Sequence, residues 1–284
     1  MKQSRLWQNI RTLYFIIRYC NKSPEALCIT LKRNSCMGKT VLTIFLTFCL
    51  TASFGQAFNE KYGQPIVVLI ETDPWLMVIG SDVPTFALYQ NGQIIYKKAV
   101  NGNWKYAEVS NDRETTQKII KSLGIRDSLM KQQDFIEASS ETDQPTNIML
   151  LNFDTLKQIN VYGFIRERTS EARQKTPKVF LTVFDNIINF ESDKAKEWLP
   201  DTFEVMATKY SYSPEKPLQW NKDWSDIKSS STIKRNDDLY SIYLDKKYFD
   251  DFLKLLKRLK EKQAVEINGE KYSLTYRFPF PNLQ

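Results

Sequence analysis

Two of the three Asn-Gly dipeptides constrain the fold of this chain most strongly, because each separates two predicted strands, whereas Asn101-Gly102 is predicted only to end a strand. The two are Asn91-Gly92 and Asn268-Gly269. Asn and Gly tolerate the positive φ angles that both central residues of a type I′ turn require. The sequence therefore predicts a β-hairpin at each dipeptide, and hairpins imply antiparallel sheets.

Three amphipathic helices are predicted between the strands. Asp112 can cap a helix over Arg113–Leu123, and Asp245 can cap a later one. Thr176 can cap a helix that has Pro177 at its first position, where the missing N–H costs nothing. In this helix the apolar residues recur with helical spacing and predict a core-facing stripe: Val179, Phe180, Val183, Phe184, Ile187 and Ile188.

The predicted order of elements is a strand pair followed by a helix, three times, with a C-terminal hairpin. The first pair is Ile66–Ile70 and Met77–Ile79. This order predicts the α+β class, with antiparallel sheets covered by helices on one face. No side-chain motif repeats with the order. One unit and two lobes with a boundary near 166–176 both fit it.

A hydrophobic segment near the N-terminus predicts export. Lys39 precedes Val41–Leu50, which is uncharged and mostly apolar, and Ser53 and Gly55 place small residues before a cut after residue 55. The segment also resembles bacterial signal peptides. A membrane-spanning helix needs about 20 predominantly apolar residues, which this run lacks. The sequence therefore predicts a signal peptide over 37–55 and a mature, periplasmic or secreted domain over 56–284.

The residues before this segment allow two readings. Residues 1–36 are either a mis-assigned start, with Met37 the true first residue, or a basic N-terminal extension. Lipidation at Cys49 is not favoured, because Phe48 stands where a lipoprotein signal has a small residue. Membrane association is expected only through an uncleaved signal.

The charge of the whole chain overstates that of the mature part. The chain carries 40 Lys and Arg against 33 Asp and Glu, but eight of the cations and one of the acids lie within residues 1–55. The remaining 229 residues hold 32 of each, so their formal net charge is zero. Nucleic-acid binding needs a basic face, and nothing in this balance predicts one.

The absence of two residue types excludes several chemistries. The chain has no His, and its four Cys, at positions 20, 28, 36 and 49, all precede the predicted cut. A disulfide framework, a thiolate or imidazole metal site and a His-dependent triad are therefore excluded in the mature part. No phosphate-binding or calcium loop occurs, and we expect no cofactor and no metal. An enzyme would have to use Asp, Glu, Lys or Tyr for proton transfer.

Four aromatic residues form the first candidate site. Trp220 and Trp224 lie four residues apart in a Pro-rich segment over 213–231, with Tyr210 and Tyr212 upstream. In a short helical turn both indoles would share one face and could stack on a sugar or a Pro-rich peptide. The alternative is that the rings cover the edge of the core, since aromatic side chains carry a large apolar area.

Two carboxylates form the second candidate site. Glu71 and Asp73 end the first predicted strand, where spacing of two residues places both on one face. Such a pair could hydrolyse a glycoside by acid–base catalysis. The alternative is a solvated turn, since the mature part holds 32 carboxylates and such a pair is expected by chance.

These observations favour an exported, non-enzymatic domain of the cell envelope that binds a ligand or partner, such as a glycan or a peptide. One alternative is a carboxylate-dependent hydrolase that acts on glycans. A purely structural envelope component is the other alternative, and it predicts a surface without a concave pocket.

Overall fold

The described part of the chain folds into two β-sheets with five α-helices. The computed structural model describes residues 58–72, 83–100 and 102–283. The predicted N-terminal extension and signal peptide, Asp73 and the strand predicted at Met77–Ile79 lie outside the described residues.

The first sheet contains eight strands. These are β1 (Pro65–Glu71), β2 (Pro84–Tyr89), β3 (Gln93–Val100), β4 (Asn103–Ser110), β5 (Phe135–Glu137), β6 (Thr146–Asn152), β7 (Leu156–Tyr162) and β8 (Lys196–Glu197). Their order across the sheet is β5-β7-β6-β1-β2-β3-β4-β8. Neighbouring strands are antiparallel except for β5 and β7, which are parallel.

Helices cover one face of this sheet. They are α1 (Arg113–Ser122), α2 (Asp127–Met130), α3 (Glu171–Lys175) and α4 (Lys178–Ile188). Phe180 and Phe184 of α4 are fully buried against strand residues such as Phe86 and Val161. The stripe predicted from helical spacing thus forms the centre of the larger core, where burial of each ring stabilises the fold by about 1.5–3 kcal/mol.

The second sheet contains six strands and is covered by one helix. The strands are β9 (Thr202–Lys209), β10 (Leu218–Gln219), β11 (Ile233–Lys234), β12 (Leu239–Asp245), β13 (Val265–Ile267) and β14 (Glu270–Arg277). Their order is β10-β13-β14-β9-β12-β11, and only β10 and β13 are parallel. The helix α5 (Phe249–Arg258) buries Phe252 against Phe203 of β9.

The C-terminal segment packs between the two sheets. Phe280 lies on the face of the first sheet that carries no helix, with its ring 5.4 Å from that of Tyr106 and 5.0 Å from that of Trp198. Phe278 contacts the Tyr106 ring and also lies 5.3 Å from Phe249 of α5. The last aromatic residues therefore join the two sheets through apolar contacts.

The two hairpins predicted at Asn-Gly dipeptides form with different turns. At the second, Asn268 and Gly269 both have positive φ, of 51° and 86°, as a type I′ turn requires. At the first, Gly92 has a φ of 79° but Asn91 is not in the positive region, and the Gly92 amide bonds to the Tyr89 carbonyl. The type I′ prediction is therefore wrong at Asn91-Gly92, where the loop is one residue longer and only its Gly is left-handed.

The predicted helix starts are confirmed at two of three positions. Asp112 accepts a hydrogen bond from the Thr115 amide at 2.7 Å. Asp245 caps the short 3₁₀ turn that leads into α5. The prediction for Thr176 is wrong, because its hydroxyl donates to the Ala172 carbonyl and Pro177 is the first capping residue of α4. Thr176 instead ends α3, and the Pro177 carbonyl accepts from the Phe180 and Leu181 amides, so α4 begins one residue later than predicted.

The α+β class is confirmed, but the sheets are mixed rather than wholly antiparallel. Four strands precede α1, and five helices occur in the described residues, so the simple threefold order of strand pair and helix is not the arrangement observed. The chain passes from the first sheet to the second between Glu197 and Thr202, whereas the stretch 166–176 lies beside the first sheet.

Within the described ranges, no helix is long and apolar enough to cross a bilayer.

Candidate functional site

The two candidate tryptophans are packed against the second sheet. Their rings meet edge to face at 4.9 Å, and Trp224 lies 6.1 Å from Phe252 of α5. Trp224 is 6% exposed, and Trp220 donates from Nε1 to the Ser225 carbonyl at 3.0 Å. The two rings are brought together as the spacing predicts, but the exposed stacking surface that a ligand would need is absent at Trp224.

The two candidate tyrosines do not join these rings. Tyr212 is 95% exposed, and Tyr210 is half-buried beside β14 through a backbone bond to Lys271. In the described chain neither tyrosine is in ring contact with Trp220 or Trp224. The four residues therefore do not form one surface.

Asp226 holds the segment around the tryptophans in place. Its carboxylate accepts bonds from the Asn268 amide at 2.8 Å and from the Lys228 backbone amide at 2.9 Å. The Asn268 bond is the largest of the effects that lower the Asp226 pKa. The long segment is thus a fixed part of the second sheet rather than an open loop.

Glu71 forms a bidentate ion pair with Arg166. Arg166 donates from Nε and Nη2 to its two carboxylate oxygens at 2.6 and 2.7 Å, and the Thr85 hydroxyl donates at 2.8 Å. Its predicted partner Asp73 is outside the described residues. Both oxygens of Glu71 thus have internal partners, which an acid–base role in glycoside hydrolysis would have to displace.

A pocket of about 660 Å³ opens at the ends of β5 and β7. The loop between β5 and β6 forms one wall, and the segment from β7 into α3 forms the other. The lining residues are Ser139, Glu141, Asp143, Gln144, Pro145, Phe164, Glu167, Ser170, Glu171 and Ala172. The lining contains four carboxylates and an aromatic ring, and none of its residues is Lys or Arg.

Hydrogen bonds from Tyr162 fix the first wall. Its hydroxyl donates to the Glu141 carbonyl at 2.9 Å and accepts from the Gln144 amide at 3.2 Å. The next residue, Gly163, bonds to the Pro145 carbonyl and has a φ of 137°. A Cβ there would lie 2.6 Å from the Cβ of Ala172 in the second wall and 3.2 Å from the Cβ of Ser139 in the first, so this close packing requires a glycine.

The second wall is fixed at the start of α3. Ser170 caps this helix by accepting from the Arg173 amide, and its hydroxyl donates to the Phe164 carbonyl at 2.8 Å. The Phe164 side chain remains 44% exposed. The ring is therefore presented to the pocket by a fixed backbone.

The pocket has an unbalanced negative charge. Among its four carboxylates only Glu171 has an ion-pair partner in the described residues, Lys175 at 2.6 Å, which lowers the Glu171 pKa. Glu141, Asp143 and Glu167 have none. Two arginines flank Glu167 in sequence: Arg166 is bound to Glu71, and Arg168 is exposed, does not line the pocket and forms no ion pair with a described residue. No group of three or more His, Cys, Asp or Glu in the described ranges converges closely enough to hold a metal ion.

The sequence did not indicate this pocket. Both walls lie in polar stretches, and their meeting depends on the parallel pairing of β5 with β7. β5 is three residues long, and Phe135 and Glu137 in it are exposed, so no apolar pattern predicts it. The only local indication was Phe164, an aromatic residue at the border of a polar stretch.

A second unusual arrangement lies on the face of the first sheet that carries no helix. The Trp104 ring on β4 is 60% exposed, and the ammonium of Lys97 on β3 lies 5.2 Å from its centre. Burial lowers the Lys97 pKa, whereas the nearby charge of Glu71 opposes this shift. Neither residue was predicted to have a role.

Comparison with known proteins assigns no family to this fold. No family model matches the chain, and no curated protein or solved structure is significantly similar to it.

Proposed function

We propose that this chain is an exported, non-enzymatic binding protein whose pocket between the β5–β6 loop and α3 takes an organic cation. The observation that carries this proposal is a set of three carboxylates without an ion-pair partner among the described residues, Glu141, Asp143 and Glu167, around a pocket of about 660 Å³. Ligand sites of proteins are concave, largely pre-formed and of this size. Export is inferred from residues 37–55.

The charge of the pocket indicates the class of ligand. Three carboxylates without counter-ions repel one another and attract a cation, and a ligand that neutralises them gains charge-assisted hydrogen bonds. The carboxylates are spread over two walls, which suits an extended amine better than a single metal ion. Phe164 adds an aromatic face on which an ammonium or guanidinium group can rest.

A Lys-containing peptide satisfies these requirements. Its ammonium groups reach carboxylates on both walls, and its alkyl stems can lie along Phe164 and Pro145. A partner protein with an exposed Lys-rich segment and a free polyamine share this chemistry. Both are cations that a domain exported from the cell can meet.

The pocket also bears on the alternatives. A purely structural envelope component predicts a surface without a concave pocket, whereas a pocket with fixed walls is present. A glycan hydrolase would need two carboxyl groups about 5–10 Å apart with a positioned substrate between them. The predicted candidate for that role, Glu71, is paired with Arg166. A binding role therefore accounts for more of the observed geometry.

Calorimetric titration of the full-length protein with trilysine tests the proposal. We expect binding that weakens with added salt, because exposed charge pairs are screened. Trilysine acetylated on its side chains is the matched neutral probe and should bind at least about tenfold more weakly, which corresponds to 1.4 kcal/mol. Spermidine then distinguishes a polyamine site from one that requires a peptide.

Two variants locate the binding. The double variant Asp143→Asn with Glu167→Gln removes two charges while keeping the side-chain shapes, and Asn tolerates the positive φ of 58° at position 143. It should lose most of the trilysine affinity. Glu114→Gln on α1 is the control, since Glu114 is exposed and does not line the pocket. Equal binding of acetylated trilysine, or unchanged binding by the double variant, would contradict the proposal.

Export is tested separately, by the intact mass of the protein from fractionated cells. A mass that corresponds to residues 56–284 outside the cytoplasm is the expected result. A cytoplasmic protein that retains residues 1–55 would contradict the export prediction without affecting the pocket.

A further inference from the structure

We propose that Trp104 and Lys97 form a second binding subsite, which takes an acidic saccharide: the sugar ring lies against the indole and its carboxylate pairs with the ammonium. This inference does not depend on the pocket described above. It concerns another part of the first sheet and a ligand of opposite charge.

The indole is exposed on a rigid support. Trp104 pairs with Ala99 across the β3–β4 ladder, so its backbone is fixed by the sheet. Its side chain is 60% exposed, whereas the aromatic residues beside it on the same face, such as Tyr106, are packed under the C-terminal segment. An exposed indole on a strand offers a flat apolar surface that loses little conformational entropy on binding.

The ammonium beside this indole has no hydrogen-bond acceptor within the described part of the chain. Lys97 pairs with Tyr106 and lies diagonal to Trp104, with Nζ 5.2 Å from the ring centre. It is half-buried, yet no hydrogen bond or ion pair of its ammonium occurs among the described residues. The contact with the Trp104 ring is weaker than a charge-assisted hydrogen bond, so this partly desolvated ammonium still lacks an anionic acceptor among the described residues, and an anionic ligand would supply one.

The neighbouring charges do not supply the missing partner. Glu71 is near enough to influence Lys97, but both of its oxygens are bound by Arg166. The remaining net charge of these three side chains is +1. The subsite thus offers one positive charge next to one aromatic ring.

One charge and one ring favour a saccharide over a nucleotide. A phosphate carries about two charges and is usually bound by several donors or by a helix N-terminus. Here Arg166 is already occupied, and Lys97 alone remains. A uronate sugar carries one carboxylate and a pyranose ring with an apolar face, which matches the pair in charge and in shape.

Titration of the full-length protein with trigalacturonate tests this subsite. Its fully methyl-esterified form has the same rings without the charge and serves as the matched probe. We expect the acid to bind at least about tenfold more tightly than the ester, as a charge-assisted bond of this kind predicts. Trp104→Ala and Lys97→Gln should each weaken binding of the acid by about tenfold or more.

The controls distinguish binding at this subsite from non-specific electrostatic attraction between the anionic saccharide and the protein. Lys98→Gln removes a cation from the next position, whose side chain lies on the opposite face of the sheet, and should leave binding unchanged. Lys97→Gln should also reduce the preference for the acid over the ester, which a merely structural role of Lys97 would not do. Equal binding of acid and ester, no binding of either, or tighter binding of a mononucleotide would each overturn the proposal. Trilysine binding would be unaffected by these variants, so the two proposals can fail independently.

Discussion

Arg277 donates from Nε to a carboxylate oxygen of Glu204 at 2.6 Å, and Glu204 is only 1% exposed. The two residues face each other across the β9–β14 ladder, on the face of the second sheet that is opposite α5. Arg235 and the Ser241 hydroxyl also donate to Glu204. A buried carboxylate therefore organises the polar face of this sheet through side chains from β9, β12, β14 and the turn after β11.

Replacement of Glu204 by Ala should destabilise the protein strongly. The change leaves partly buried arginine groups without their shared acceptor, and removal of one member of a buried ion pair costs about 3–5 kcal/mol. Urea denaturation followed by circular dichroism measures the loss. Glu197→Ala is the control, because Glu197 pairs with Lys105 at the surface and such an exposed pair contributes at most about 1 kcal/mol. Similar losses of unfolding free energy in both variants would show that the burial of Glu204 does not increase the contribution of its ion pairs to stability.

The two hairpin glycines should differ sharply when replaced by Ala. Both have positive φ, so each substitution costs about 1–2 kcal/mol of backbone strain. At Gly92 the new Cβ would also lie 2.2 Å from the Asn111 carbonyl oxygen, whereas at Gly269 nothing lies within 4 Å. Gly92→Ala should therefore lose a further 1–3 kcal/mol or so. Equal midpoints of urea denaturation for the two variants would contradict the steric argument.

These positions also show how far the sequence predicts the fold. The dipeptide Asn-Gly predicts the hairpins at 91–92 and 268–269 correctly, because a turn is a local property. A third hairpin, in which β3 and β4 pair as far as Val100 and Asn103, was not predicted, because Asn101-Gly102 was expected only to end a strand. At Gly92 the turn is also held by Asn111, whose backbone and side-chain amides both donate to the Gly92 carbonyl and which lies outside the dipeptide. The preference of Asp for the N-cap position likewise predicts the start of α1 at Asp112 correctly. The corresponding prediction failed at Thr176 because this residue ends α3 and α4 begins one residue later.

Long-range pairing accounts for most of what the sequence did not predict. The pocket exists because β5 pairs in parallel with β7, and three mostly exposed residues provide no periodic pattern from which to predict that pair. The sequence also did not predict which aromatic side chains are exposed. Trp224 is buried against α5, and Trp104 is exposed, although both follow polar residues in the sequence. Whether an aromatic ring is buried depends on packing against elements that are distant in the chain.

Substitution of the tryptophans should separate packing from binding. Trp224 is buried among Trp220, Tyr248 and Phe252, so Trp224→Ala should cost about 3–5 kcal/mol, as expected for a large aromatic residue in a core. Trp104→Ala is the matched comparison and should change the stability by no more than about 0.5 kcal/mol. A small loss at Trp224, comparable to that at Trp104, would favour the ligand-binding interpretation of the 213–231 segment.

Acid should weaken the segment that Asp226 holds. Its pKa lies below the ordinary value of 3.8, chiefly through the Asn268 bond and also through the Lys228 and Ser229 donors. A carboxyl group with a lowered pKa stabilises the folded state above the unfolded pKa, and this contribution is lost as the pH falls through the folded pKa. The wild type should therefore lose more stability than Asp226→Asn when the pH falls from neutral to below 3.8.

The comparison of these two proteins removes the effect of the other carboxylates. Asp112, Glu171 and Glu270 also have lowered pKa values, but they are present in both proteins, so their contributions cancel in the difference. We expect the difference in melting temperature to be largest near neutral pH and to shrink as Asp226 becomes protonated. The Asn side chain keeps an oxygen that can accept from the Lys228 amide, so the local shape is preserved. A difference that stays constant from neutral pH to strong acid would mean that the charge of Asp226 does not stabilise this segment.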